Sequence, residues 1–246
     1  MKKLATALVS AAAIMTMSTT AFAAENPAEV FDRVMEKNNT IQSAEIQSGV
    51  HSVILAKDVI PDGQMKVDMA MHAEMDMQDT TDLKYLAQVA SSILGQDSYS
   101  QVFYTDGYYY VDTNGVKLKY PMPLEQIISS VQTGVNTSNM ESSYMKGISL
   151  NEVNGKRVLA YEANPKKLNK NVKEALGTVM NTLGTDVNLD MNIQEMKGAY
   201  VLDDNDYIIY MTNYIVYNME VLDQPMTCIT LMETEVQNPG EPVVVT

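Results

Sequence analysis

The sequence contains one cysteine, two histidines, three phenylalanines and no tryptophan among its 246 residues. A single cysteine cannot form an intramolecular disulfide, so the stability of the folded chain must come from an ordinary hydrophobic core. Zinc sites need cysteine or histidine in sets, and a serine or cysteine triad needs a histidine beside its nucleophile. These scarcities argue against an enzyme and against a zinc protein, and we expect no cofactor.

Basic residues are also few: 17 lysines and arginines stand against 31 aspartates and glutamates, a net charge of −14. An acidic protein of this kind repels nucleic acid and anionic membrane surfaces. Beyond the first 23 residues no apolar stretch is long enough to cross a bilayer. We therefore expect neither a nucleic-acid partner nor a membrane span.

The first 23 residues have the three parts of a secretion signal. Two lysines stand near the start, an apolar run covers about residues 4–17, and residues 21–23 match the A-x-A cleavage pattern. A transmembrane anchor is the alternative, but the apolar run is shorter than the ~20 residues that a membrane helix needs. A lipid anchor would need a cysteine directly after the cleavage point, and the only cysteine is Cys228. The sequence predicts a secreted, extracellular protein that begins at Ala24.

Changes of hydrophobic period divide the chain into helices and strands. Asn26 as N-cap and Pro27 as first helical residue open one helix, and apolar residues at spacings of three and four indicate three more. Asp-Gly and Asn-Gly pairs between β-prone runs predict hairpin turns. The predicted helices cover residues 27–38, 81–94, 124–131 and 165–183. The predicted strands cover residues 44–57, 65–78, 102–105, 108–112, 116–120, 144–151, 156–162, 187–196, 198–202, 207–222 and 226–236.

Residues 65–78 show the most regular pattern in the chain. Apolar side chains occupy the odd positions and mainly polar side chains the even positions, so a strand here has a methionine-lined face and a wet face. The sequence holds 19 methionines, and methionine suits both irregular cores and adaptable binding surfaces. For any single methionine, filling of the core is the alternative interpretation.

Four other features have both a chemical and a structural interpretation, and we favour the structural one in each case. His72, beside acidic residues on the wet face, would fit a hydrolase or metal site but also an ordinary solvated sheet face. The acidic run 203–206 resembles part of a calcium loop but lacks its glycine and closing glutamate, which favours a β-turn. Tyrosines 108–110 would stack on sugars or pack within the sheet. Cys228 lies in an apolar run typical of a buried side chain rather than a nucleophile.

No segment has the length and composition of a linker between independent domains. After the signal at residues 1–23 we expect one α+β domain at residues 24–238 and a loose tail at residues 239–246. Long strands with one wet face suit a large antiparallel sheet that is solvated on one side.

Several segments together resemble the LolA/LppX-like superfamily of exported lipoprotein and lipid carriers. The similarity rests on the alternating strand 65–77, the segments 104–112, 117–123 and 151–159, and the closing strands. It is greatest toward an uncharacterised branch of secreted or lipid-anchored proteins of Gram-positive bacteria, although this chain lacks the cysteine of the anchored ones. The resemblance implies an α+β fold with a large curved antiparallel β-sheet, an incomplete barrel, packed over about three to four helices. An apolar cavity within it would hold acyl chains or lipidated proteins.

We therefore expect an exported, non-enzymatic binding or carrier protein for apolar ligands, lipid or acyl chains, in a Met-lined concave cavity. A cell-envelope protein is a second kind of partner. The alternative is an extracellular structural or adhesion-type interaction domain with a filled core and no ligand, and a hydrolase ranks third. The predicted cavity-lining residues are Met65, Met69, Met71, Met75, Met77, Met191, Ile193, Met211, Ile215 and Met219.

Overall fold

The computed structural model describes residues 25–56, 60, 62–79, 83–123, 140–170, 191–221 and 224–245. The predicted signal, the predicted helix 124–131 and most of the predicted helix 165–183 lie outside the described residues. What is described consists mainly of one antiparallel sheet.

The first described element is helix α1 (Pro27–Asn38), which has the bounds that the sequence predicts. The Asn26 side chain accepts a hydrogen bond from the Ala28 N–H, which satisfies one of the free donors at the start of the helix. The buried residues of α1 recur at helical spacing, so that one side of the helix is apolar and packs on the sheet. They are Val30, Phe31, Val34 and Met35.

Eleven strands follow α1 in the described residues, and all of them join a single sheet. Their bounds are β1 (Ser43–Leu55), β2 (Gln64–Asp76), β3 (Lys84–Ile93), β4 (Gln96–Thr105), β5 (Tyr108–Thr113), β6 (Val116–Pro121), β7 (Met145–Val153), β8 (Lys156–Ala163), β9 (Met191–Leu202), β10 (Ile208–Val221) and β11 (Gln224–Gln237). The strand order is β6-β5-β4-β3-β2-β1-β11-β10-β9-β8-β7, with antiparallel neighbours throughout. The first and last strands thus pair in the middle, while β6 and β7 are the outer strands of a sheet that is not closed.

The predicted hairpin turns at Asp106-Gly107, Asn114-Gly115 and Asn154-Gly155 are confirmed, and all six residues have positive φ. Both central residues of a type I′ turn need positive φ, which Gly, Asn and Asp adopt most readily. A fourth turn of this kind joins β3 to β4 at Leu94-Gly95, with φ of 53° and 76°. It has no such signal in the sequence, because leucine rarely takes this conformation.

The predicted helix 81–94 is wrong, since its described residues contain strand β3. The prediction rested on apolar residues at spacings of three and four, such as Leu83 and Leu86. In the structure β3 pairs with β2 on one side and β4 on the other, and the adjacent residues Leu86 and Ala87 are both buried. The apolar spacing of three and four therefore arises here because β3 has buried side chains on both faces of the sheet. Pairing with two neighbouring strands overrides the local helical pattern.

The predicted packing of the sheet over three to four helices is also wrong. The described residues hold α1, a 3₁₀ turn at Ser142–Tyr144, and a helical segment at residues 165–170. One reason is that residues 84–93, where the sequence pattern predicts a helix, extend the sheet instead. Within the described residues, the predicted strands 187–196 and 198–202 form one continuous strand, β9, which starts at Met191, because Lys197 pairs with both β8 and β10.

The core under α1 is built from aromatic contacts. Phe31 of α1 lies edge-on to Tyr161, with ring centroids 5.8 Å apart, and 6.1 Å from Tyr200. Tyr161 and Tyr200 stack on each other at 5.1 Å. Burial, as the first cause, raises the pKa of both phenols, for Tyr200 to about 12, so both are neutral at ordinary pH. The Tyr161 hydroxyl donates to Asn213 Oδ1, which supplies a partner to a polar group inside the core.

Candidate ligand-binding face

The register of the sheet brings nine of the ten predicted cavity-lining residues to one face. Directly opposed residues of antiparallel neighbours point to the same side of a sheet. From Met71 on β2 the pairing runs through Ser48 on β1 and Thr234 on β11 to Met211 on β10. Alternation along each strand extends this side to the remaining positions. We call it the methionine face, and it carries Met65, Met69, Met71, Met75, Met191, Ile193, Met211, Ile215 and Met219.

Exposure differs along the methionine face. Met75 and Ile193 are buried, as is Met77, which directly follows β2. Met69 and Met71 are exposed, at 39% and 36% of their surface. The other members are half-buried: Met65, Met191, Met211, Ile215 and Met219. The predicted wall is therefore partly core and partly open surface.

Packing at both ends explains which members are buried. Near β3 and β4, Met75 and Met77 pack with Leu83 and Tyr104. At the other end, Ile193 packs with Leu168 of the helical segment 165–170. The core group under α1 also contacts the half-buried Met211.

The open part between these ends is a strip that we call the central strip. It consists of Met69 and Met71 with three half-buried cross-strand neighbours, Val50, Val89 and Met232. These three neighbours are not among the predicted cavity-lining residues. Alternation along residues 44–54 could have indicated Val50, whereas Val89 fell in the wrongly predicted helix.

An open groove of about 800 Å³ lies mainly against the opposite face of the same strands. Side chains that line it from that face include His51, His72, Tyr99, Tyr210 and Glu235. Met69 and Met71 of the methionine face also line the groove, and sequence reasoning described its strands only as wet.

The two histidines of this groove are paired with carboxylates. His51 Nδ1 lies 2.7 Å from Asp68 Oδ1, and His72 Nε2 lies 3.1 Å from Glu74 Oε1. Among the described residues, no three His, Cys, Asp or Glu side chains are grouped closely enough to hold a metal ion. The contacts of His51 and His72 are those of a solvated sheet face.

A buried carboxylate lies beside the same groove. Glu233 is 4% exposed, and its Oε1 accepts a hydrogen bond of 2.6 Å from the Tyr210 hydroxyl. Burial, and then the Glu233 carboxylate, raise the pKa of Tyr210 above its ordinary value. Tyr210 therefore remains a hydrogen-bond donor at any ordinary pH.

The acidic run 203–206 forms the turn between β9 and β10, as the sequence predicts. Asp203 Oδ1 accepts hydrogen bonds of 2.8 Å from the N–H groups of Asn205 and Tyr207. The Asp206 carboxylate accepts from Arg33 Nε at 2.9 Å and from Arg157 at 2.5 Å. The protein's own donors thus occupy the carboxylates of Asp203 and Asp206.

The tyrosine run is divided between the two faces by strand alternation. Tyr108 and Tyr110 lie on one side, where Lys119 Nζ is 4.0 Å and 4.9 Å from their ring centroids. Tyr109 lies on the other side, 5.3 Å from the ring of Tyr120. All three rings have packing partners within the sheet.

Within the described ranges, no helix has both the length and the apolar character to cross a membrane.

Comparison with known proteins gives one match along most of the chain and several remote structural likenesses. No curated protein matches the sequence. The structure of LprF from Mycobacterium bovis is similar with a TM-score of 0.38 and 9% identity, over 89% of this chain and 95% of that one. The lipoprotein LppX from Mycobacterium tuberculosis has a TM-score of 0.39 and 9% identity, over 90% and 100%. The ywiB protein from Bacillus subtilis has a TM-score of 0.26 and 12% identity, over 82% and 99%.

LppX is one of these remote likenesses, and the placement of the chain in a Gram-positive branch of the LolA/LppX-like superfamily stays a prediction. The model of one protein family matches residues 26–240, which is most of the sequence. The chain belongs to the family of unknown function DUF6612.

Proposed function

We propose that this protein is an exported, non-enzymatic binding or carrier protein for apolar ligands such as lipid acyl chains, which lie on the central strip of the methionine face. The exposure of Met69 and Met71, at 39% and 36%, carries the proposal. They stand side by side on a face whose two ends are buried.

The chemistry of the central strip suits chains of variable length. Methionine is unbranched and polarizable, so its side chain can repack around different apolar partners. Val50, Val89 and Met232 border the two methionines and continue the apolar surface across four strands. Each methylene of a ligand that leaves water there gains up to about 0.8 kcal/mol.

The proposal assigns different roles to the ten predicted residues. Met69 and Met71 contact the ligand, and the half-buried residues at the margins extend the surface: Met65, Met191, Met211, Ile215 and Met219. Met75, Met77 and Ile193 are held in packing clusters and support the wall from the core.

Export follows from the predicted signal at residues 1–23, with the mature chain starting at Ala24. N-terminal sequencing of the protein from culture fluid tests this part. A start far from Ala24, or a lipid on the N-terminus, would contradict it.

The binding proposal is tested by native mass spectrometry of the protein purified from its own cells, followed by displacement of a fluorescent fatty acid. We expect co-purified lipid, and a tenfold or larger loss of fatty-acid affinity in the double variant Met69→Gln/Met71→Gln. Glutamine has nearly the length of methionine, and an exposed change alters stability by no more than about 0.5 kcal/mol. A loss of affinity would therefore report the surface and not the fold.

Leu118→Gln is the matched control. Leu118 is also an exposed apolar strand residue, at 58%, but it lies on β6, four strands and about 19 Å from β2. Equal losses in the control and the double variant, or no bound lipid and no displacement in the wild type, would overturn the carrier proposal. The second outcome would favour the interaction domain, for which the burial of Met75, Met77 and Ile193 in packed clusters is the supporting observation.

A further inference from the structure

Four sulfur-containing side chains occupy neighbouring positions at one end of the methionine face, around the hairpin of β10 and β11. Met219 on β10 lies directly opposite Met226 on β11 and directly opposite Met191 on β9. Cys228 is two residues from Met226 on the same strand and therefore points to the same side. Directly opposed Cβ atoms are about 5 Å apart, so the flexible thioethers of the three methionines can reach a common point beside the cysteine.

Two of these sulfur atoms lie at the separation that two ligands of a tetrahedral metal site have. Cys228 Sγ lies 3.7 Å from Met219 Sδ. A tetrahedral site with metal–sulfur bonds of about 2.3 Å separates its sulfur ligands by about 3.8 Å. An ion placed between the two atoms would thus need little movement of either side chain.

The donor set selects the kind of ion. Three thioethers and one thiol are soft ligands, which favour Cu(I) over the hard cations that carboxylates bind. Zinc prefers thiolate, imidazole and carboxylate, and the cluster offers only one such group. Access is available because Met191, Met219 and Met226 are half-buried while Cys228 is 1% exposed.

We propose that Met191, Met219, Met226 and Cys228 form a binding site for one soft monovalent cation, Cu(I) or its analogue Ag(I). The ion binds the Cys228 sulfur as a thiolate, and the thiol proton passes to solvent, with no change in oxidation state. The site lies outside the central strip, although Met191 and Met219 also belong to the margin of the proposed apolar surface.

The structural alternative is that Cys228 only donates a weak hydrogen bond to Met219 within the core. Titration of the full chain with Ag(I) in chloride-free buffer, followed by native mass spectrometry and competition with a soft-metal chelator, distinguishes the two. We expect one tightly bound ion. Cys228→Ser keeps a hydroxyl donor but removes the thiolate, and it should lower the affinity for the first ion at least 100-fold. Met219→Leu keeps the volume and should lower it at least tenfold.

Met71→Leu is the matched control, because Met71 is an exposed methionine of the same face that lies outside the cluster. It should change the affinity for the first ion by less than twofold. Thermal unfolding without the ion establishes that each variant is folded, and Cu(I) supplied as its acetonitrile complex without oxygen should compete for the same site while Zn(II) should not. Wild-type affinity in both Cys228→Ser and Met219→Leu, equal weakening by Met71→Leu, or no tight ion in the wild type would each overturn the proposal.

Discussion

At the scale of single residues, Gly198 shows how closely two strands of the core approach each other. A Cβ atom at this position would lie 2.5 Å from both the Thr212 carbonyl oxygen and Asn213 Oδ1, and 2.8 Å from the Tyr161 hydroxyl. The same Tyr161 hydroxyl donates to Asn213, so the space that glycine leaves is part of a buried hydrogen bond.

We predict that Gly198→Ala lowers the free energy of unfolding by about 1–3 kcal/mol, because overpacking forces the backbone of β9 away from β10. Urea unfolding followed by circular dichroism measures this change. Gly147→Ala is the control, since nothing lies within 4 Å of a Cβ at Gly147, and it should alter stability by less than about 0.5 kcal/mol. Equal effects of the two changes would contradict a steric origin.

The turn at Leu94-Gly95 leads to a prediction with the opposite sign. Leu94 has φ of 53° and is 69% exposed, so it has the strain of a left-handed backbone and little burial to lose. Leu94→Asn should raise the free energy of unfolding by about 1 kcal/mol, since asparagine tolerates this conformation.

The reverse change in an equivalent turn is a matched control for Leu94→Asn. Asn154 has φ of 53° before Gly155 in the β7–β8 hairpin. Asn154→Leu should lower stability by a similar amount, and a change of the same sign in both variants would exclude the turn as the cause.

At the scale of elements, an ionic contact ties α1 to the β9–β10 turn. Arg33 of α1 and Arg157 of β8 both donate to Asp206, whose side chain is 16% exposed. Burial acts in the opposite direction, but the hydrogen bonds from Arg33 and Arg157 lower the pKa of Asp206 below its ordinary value of 3.8. The folded protein therefore binds this proton less readily than the unfolded chain does.

A lowered pKa in the folded state determines the sign of the pH dependence. The contribution of Asp206 to stability is fully present above the unfolded-state pKa and is lost as pH falls through the folded-state pKa. We predict that Asp206→Asn lowers the free energy of unfolding by about 1–2 kcal/mol at pH 7, and that the difference from the wild type shrinks as pH falls from 7 to below the ordinary carboxyl pKa of 3.8.

Denaturant unfolding of both proteins across this pH range measures the effect. Asp204→Asn is the control because Asp204 is an exposed residue of the same turn. It should leave stability unchanged within about 0.5 kcal/mol at every pH. A difference between Asp206→Asn and the wild type that persists undiminished at pH 2 would contradict an ionic role.

At the scale of the whole molecule, β1 and β11 join the two halves of the chain. They pair from Glu45 opposite Gln237 to Leu55 opposite Thr227, so the middle of the sheet combines the first and last strands of the sequence. Neither half of the sheet has this central pairing without the other.

We therefore predict a single cooperative unfolding transition for the whole sheet. Far-ultraviolet circular dichroism and tyrosine fluorescence should give the same midpoint in urea, because the tyrosines lie on both sides of the β1–β11 pairing. Separated midpoints, or a protease-resistant half, would indicate two units and contradict this prediction.

Local signals in the sequence were sufficient for some elements. Asn26 and Pro27 mark the start of α1, and the Asp-Gly and Asn-Gly pairs mark three hairpins, because capping and positive φ depend on residues next to each other in the chain. The alternation of residues 65–77 placed the methionines of β2 on one face for the same reason, since strand geometry has a period of two.

Only the tertiary structure decided which of those methionines are buried, and where the strands lie in the sheet. Met75 is buried by Tyr104 from β4 and Met71 is exposed, although both have the same local pattern, because burial depends on residues distant in sequence. Residues 84–93 form a strand for a similar reason. Their hydrogen-bonding partners lie in β2 and β4, and the local hydrophobic period of the sequence does not indicate these partners. The contact of Cys228 with Met219 likewise arises from the pairing of β10 with β11. Features that depend on residues close together in the chain could be predicted from the sequence. Features that depend on pairing between distant strands could not.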